Sequence, residues 1–288
     1  VERSRGLGDV YKRQVLNAVE LSTSVPFAFA APWFDALCSD LDDVLLADAV
    51  AASAAYPFAV RPVVLETFNR DCPAPLPDWV GRMAEARDQA MTVRDAARAF
   101  QTFRDSERLR YIHLLDGGVV DNFGLSGLPV IQAASSRPYG PMLSPADAVR
   151  LRRLRVIVIN GERATRRPWG LTPQGPDGRQ IVEAVADHST DAAKRNAYDA
   201  FRGHLEQWER RTIAWRCALT AEQARALGAQ PGWDCAALSY SAEMVAFADL
   251  PPERARVLLH IPTRLSLPSS QVDLAIQAGR DAMASALP

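Results

Sequence analysis

Asp116 is the residue whose position most invites chemistry. It closes the run Arg110–Leu115, which reads as a short strand, and Gly117 and Gly118 follow it at once. Two successive glycines let the chain turn sharply and bring its backbone close to a ligand. In open α/β sheets ligands bind beyond the carboxyl ends of strands, where this carboxylate would stand. The competing explanation is an ordinary Asp-Gly-Gly turn without a function. Asp121 and Asn122 follow shortly after and read as braces for the loop.

Other reactive side chains read as structural. His113 alternates with Tyr111 and Leu115 on one strand face, with Asp116 on the other. His188 and His204 share a long helical pattern, and no partner completes a metal-ligand spacing. No metal site is expected. Gly124-Leu125-Ser126-Gly127 approaches a nucleophile elbow, but position 128 is Leu. Ser53 lies in an alanine-rich segment and reads as packing. Arg163, Arg166 and Arg167 read as a solvated loop, with contact to an anionic head group as the alternative. Phe27, Phe29, Trp33 and Phe34 read as core, with the lining of an acyl pocket as the alternative.

The elements that must position these groups alternate along the chain. Val15–Leu21 and Phe27–Phe29 are strand-like, and Val44–Ala55 has helical spacing that Pro57 ends. Ala59–Phe68 reads as a strand, and Trp79–Phe103 as a long helical stretch. Ala146–Arg153 reads as a helix, Leu154–Asn160 as a compact buried strand, and 163–179 as a loop rich in Pro, Gly and Arg. Gln180–Ile213 carries apolar residues every three or four positions, a long amphipathic helix. Ala221–Leu227 (helix), Ala237–Phe247 (strand) and helices after Pro251 and Pro268 complete the pattern. Strands alternating with helices predict an α/β sandwich around a mostly parallel sheet, in one domain.

Composition narrows the function. The 288 residues are 48% hydrophobic and 23% charged with net charge −1, the profile of a globular chain. Near-zero charge argues against a nucleic-acid surface. The longest charge-free stretches, Ser24–Phe34 and Ala49–Val60, are too short and proline-interrupted to span a bilayer. Cys38, Cys72, Cys217 and Cys235 contain no C-x-x-C pair. Sequence order suggests Cys38–Cys72 and Cys217–Cys235 among three connectivities, which fits an envelope or periplasmic setting. Four reduced cysteines in the cytoplasm are the alternative.

Several separated blocks resemble the patatin-like phospholipase family. Asn17-Ala18-Val19-Glu20-Leu21 is similar to the strand after the family's nucleophile region. Leu46 through Pro57, with Pro62-Val63 after it, is similar to its alanine-serine helix leading into a proline. Leu115-Asp116-Gly117-Gly118-Val119-Val120-Asp121-Asn122 is similar to its aspartate loop. Ile261-Pro262-Thr263 and Gln271-Val272-Asp273 through Gly279-Arg280 look like the carboxyl end of bacterial members. The resemblance implies a three-layer α/β/α sandwich. It also implies a lipid acyl hydrolase that needs no cofactor and acts by a serine–aspartate dyad, with Asp116 as base and Gly117 and Gly118 supporting it. The substrate would be a lipid ester, met in a pocket or at a membrane surface. The alternatives are a non-catalytic lipid-binding or interaction module of the same fold, or an unrelated α/β enzyme.

The family's Gly-x-Ser-x-Gly elbow and glycine-rich oxyanion loop do not occur in these residues. All but two of the 33 basic residues are arginine, and Lys12 falls in Asp9-Val10-Tyr11-Lys12-Arg13-Gln14. That string looks like the translation of a transposon end used in shotgun library preparation. Val1–Gln14 is therefore expected to be a disordered, adapter-derived tail. Residues 15–288 are expected to form one partial domain, truncated at its amino end and lacking the nucleophile. Loss of a serine nucleophile alone removes about 10⁶ in turnover, so the chain by itself is expected to be inactive.

Overall fold

The computed structural model describes residues 14–57, 60–161, 163, 167–171, 173–262, 264 and 266–286. The tail Val1–Gln14 (apart from Gln14), Ala59 at the start of an expected strand, Arg166 and Thr263 lie outside them. The chain divides into two compact units. One is Val1–Ala148 with Ser189–His204, and the other is Val149–His188 with Leu205–Pro288.

The first unit is built on β1 (Asn17–Glu20), β2 (Val25–Ala28), α1 (Ala31–Leu37), α2 (Leu46–Ser53) and β3 (Val63–Glu66). It continues with α3 (Asp78–Glu85), α4 (Met91–Phe103), β4 (Tyr111–Asp116), α5 (Gly127–Ala134) and α6 (Pro145–Arg150), whose last two residues belong to the second unit. Its sheet has the order β2-β1-β4-β3. Every neighbouring pair is antiparallel, with Ala18 opposite Asp116 and Val64 opposite His113. This corrects the expectation of a mostly parallel sheet. For the β1–β2 pair the reason is local: four residues, Leu21–Ser24, separate the strands, too few for a parallel crossover.

Glu20 closes that turn. Its two carboxylate oxygens accept from the amides of Ser22 (2.9 Å) and Thr23 (2.7 Å) and from the Thr23 hydroxyl (2.6 Å), and the side chain is fully buried. Along β4 the alternation is clean, with Ile112 and Leu114 buried and Tyr111 and His113 exposed. The buried face joins an aromatic cluster in which Phe27 meets Phe29, Trp33 and Phe34 edge-on, and Trp33 meets Phe100. Burying each such ring contributes roughly 1.5–3 kcal/mol.

The expected long helical stretch Trp79–Phe103 is two helices, broken at Ala86–Ala90. A continuous rod of that span would be about 37 Å long. Folding it back lets Trp79, Val80 and Ala84 of α3 share one core with Val93, Ala97 and Phe100 of α4.

The second unit is built on β5 (Arg153–Asn160), α8 (Ala221–Ala226), β6 (Ser239–Ala246), α9 (Pro252–Leu259) and α10 (Ser269–Ala286), with both ends of α7 (Gly178–Cys217). β5 and β6 pair in parallel. β5 was expected to be a compact buried strand, but Ile159 is 71% exposed, because one partner strand leaves much of its surface open. The stripe of α7 is likewise divided: Phe201, Leu205 and Trp208 are buried while Ile181 and Val185 are exposed. Both cysteine pairs form, Cys38–Cys72 in the first unit and Cys217–Cys235 in the second.

Candidate functional site

Asp116 ends β4 and is held from two directions. Its amide donates to the Ala55 carbonyl just beyond α2 (3.1 Å), and its strand is paired with β1. Its carboxylate Oδ1 accepts from the Gly118 amide at 2.8 Å. Among the described residues nothing bonds Oδ2. The group is half-buried and lines a cavity of about 250 Å³, together with Val15, Leu16, Asn17, Ser53 and the loop Gly117–Gly124 apart from Val119 and Val120.

Backbone hydrogen bonds and close glycine contacts hold the loop. Gly117 is buried, and its carbonyl accepts from the amides of Val120 (3.2 Å) and Asp121 (2.8 Å). A Cβ at Gly118 would fall 3.0 Å from Asp116 Oδ1 and 2.7 Å from Asn122 Oδ1, so a larger residue there must push a side-chain oxygen aside. Gly124 has φ +64°, and a Cβ there would meet Asn17 Nδ2 at 2.7 Å. Asp121 is the brace that its position suggested. Its Oδ1 accepts from the Leu125 amide (3.1 Å) and its Oδ2 from the Ser126 amide (2.7 Å), with 3% of the residue exposed. Asn122 is exposed and shares the cavity wall.

The other expected residues are not brought here. His113 is exposed on the opposite face of β4, and Ser126 precedes α5. Phe27, Phe29, Trp33 and Phe34 are core residues and do not line the cavity. His188 and His204 lie on α7. In the second unit Arg163 is exposed, and Arg167 pairs with Asp187 (2.9 Å) and lies over the Trp169 ring.

Asn17 and Ser53 are the cavity residues that sequence reasoning missed as site residues. Asn17 is carried in by β1, opposite the end of β4. Ser53 is carried in by the last turn of α2, one turn after the buried Ala49 on the same side of a helix that lies against β1 and β4. The available signal was the small-residue helix itself, which can approach a sheet closely. Chemically, the cavity offers one carboxylate oxygen to a hydroxyl, beside neutral donors and acceptors. Comparison with protein-family models, with curated proteins and with solved structures finds no match.

Proposed function

We propose that this cavity is the base half of a serine–aspartate acyl-ester hydrolase, set in a patatin-like α/β/α sandwich, with the nucleophilic serine contributed by polypeptide outside these 288 residues. The observation that carries the reading is the Asp116 carboxylate. One oxygen is fixed by the Gly118 amide at 2.8 Å and the other is unengaged by the described residues on the rim of a cavity. A base for a serine needs that division, because one oxygen sets the orientation while the other takes the proton.

In the reaction the serine Oγ attacks the acyl carbonyl as its proton passes to Asp116. The carbonyl π electrons move to oxygen and return as the C–O bond to the alcohol breaks, and the departing alkoxide takes the proton from Asp116. Water then attacks the acyl-serine, with Asp116 accepting its proton and returning it to the serine. The substrate is a lipid acyl ester, and the chain alone is inactive. A non-catalytic lipid-binding module is the second reading, favoured by the absence of a Gly-x-Ser-x-Gly elbow from the sequence.

The test is to express the chain together with the polypeptide encoded upstream of it. The extended protein is expected to hydrolyse p-nitrophenyl butyrate and to label at one serine with a fluorophosphonate. Asp116→Asn is expected to lower turnover by about 10²–10⁴ without changing the unfolding midpoint. An extended protein without a reactive serine supports the second reading. Wild-type turnover in Asp116→Asn overturns the first.

A further inference from the structure

The cavity beside Asp116 carries polar groups that the base role does not use. Ser53 closes α2, where serine hydroxyls often turn back to the carbonyl four residues earlier, as Ser285 does to Asp281 at 3.0 Å. Ser53 makes no such bond among the described residues and lies half-buried on the cavity wall. The side chains of Asn17 and Asn122 line the same space, also without a hydrogen-bond partner among the described residues. The charge is one-sided. Asp121 has both oxygens occupied by backbone amides, Asp116 has one oxygen left, and no Lys, Arg or His among the described residues lines the cavity.

We infer that the group seated beside Asp116 is uncharged and hydroxyl-bearing, the polyol end of a neutral acyl ester, and not a phosphate-bearing head group. The identity of the ester rests on the hydrolase reading, while the discrimination rests on the cavity's own charge and hydrogen-bonding groups. A hydroxyl can donate to an Asn side-chain carbonyl and accept from Ser53 or an Asn amide, beside the Asp116 charge. A phosphate brings acceptors and negative charge only, and meets a carboxylate with no cation among the described lining residues to offset it. At a separation of about 5 Å in a half-buried site, that repulsion is enough to lower affinity by about tenfold or more. The cavity is smaller than the roughly 300 Å³ at which drug-sized pockets begin, so it takes the head group and the ester while a long acyl chain must continue outside.

The test uses the 288-residue chain, titrated calorimetrically at neutral pH with monobutyrin and with its glycerol-phosphate counterpart, butyryl glycerol 3-phosphate. Monobutyrin is expected to bind about tenfold more tightly or better. Asp116→Asn, which removes the charge and keeps the shape, is expected to narrow the gap to about threefold or less. Ser53→Ala is expected to weaken monobutyrin by about threefold or more. Unchanged circular dichroism and unfolding midpoints establish that both variants are folded. Equal or tighter binding of the phosphate ester overturns the inference, as does undetectable monobutyrin binding at millimolar concentration or an undiminished gap in Asp116→Asn. The hydrolase reading is decided separately, by turnover of the extended protein, so selective binding without turnover sinks that reading and spares this one.

Discussion

The Asp116 carboxylate and the Gly118 amide lie 2.8 Å apart, and any side chain at 118 would intrude on the same oxygen at 3.0 Å. The carboxylate and its anchor are thus one local unit. Gly118→Ala is expected to displace either the carboxylate or Asn122 and to cost about 1–3 kcal/mol of stability. Urea unfolding measures that cost, and monobutyrin affinity should fall with it. An alanine variant with the wild-type midpoint and affinity would show that the loop relaxes freely.

Asp121 holds the far side of the loop by accepting two backbone amides within a nearly dry setting. Removing its carboxylate leaves both donors without a protein partner, at about 1–3 kcal/mol. Asp121→Ala should lower the urea midpoint accordingly, whereas Asn122→Ala, on an exposed side chain, should change it by no more than about 0.5 kcal/mol. Equal losses in the two variants would remove the distinction between brace and wall.

The strand end at Asp116 was legible because its signals are contiguous: an apolar run, a carboxylate and two glycines within nine residues. Asn17 and Ser53 were not legible as site residues, since nothing near either in sequence points to Asp116. They meet it only through the pairing of β1 with β4 and the docking of α2. Sheet direction was misread because alternation of strands and helices cannot distinguish a crossover from a hairpin, and the short Leu21–Ser24 turn carried the answer for the first pair alone. The burial of Glu20 was hidden by its chemistry. A lone acid beside an apolar strand reads as an exposed edge until the amides of Ser22 and Thr23 are seen to satisfy it. The disulfide pairing followed sequence order because each bridge joins neighbours within one unit.

Those bridges should differ in what their loss costs. Cys38–Cys72 closes 34 residues between the end of α1 and a proline-rich connector, and Cys217–Cys235 closes 18. Chain entropy alone assigns about 4 and about 3 kcal/mol respectively. The shorter loop has a second fastening. The buried Arg216 donates to the carbonyls of Leu151 (3.0 Å) and Asp234 (3.1 Å) and lies over the Trp233 ring, whose nitrogen donates to Val149. Replacing Cys38 and Cys72 by alanine is therefore expected to lower the thermal midpoint more than replacing Cys217 and Cys235. The opposite order would assign the greater stabilising role to the second bridge.

Tyr240 supplies a pH dependence. Burial pushes its phenol above the ordinary tyrosine value, while a hydrogen bond to the Thr212 hydroxyl and the nearby Arg216 guanidinium pull the other way, and Glu209 adds to the upward push. A phenol with a raised pKa in the folded state favours folding fully below the unfolded value, about 10. That contribution is lost as pH rises through the folded value, because the unfolded chain ionises first. Stability measured by urea should therefore fall above about pH 10, with tyrosinate absorbance showing a late-ionising phenol that Tyr240→Phe removes. Tyr240→Phe is expected to be less stable at neutral pH, having lost the bond to Thr212, and to show a shallower decline in alkali. Parallel declines in the two proteins would show that Tyr240 is not the titrating group.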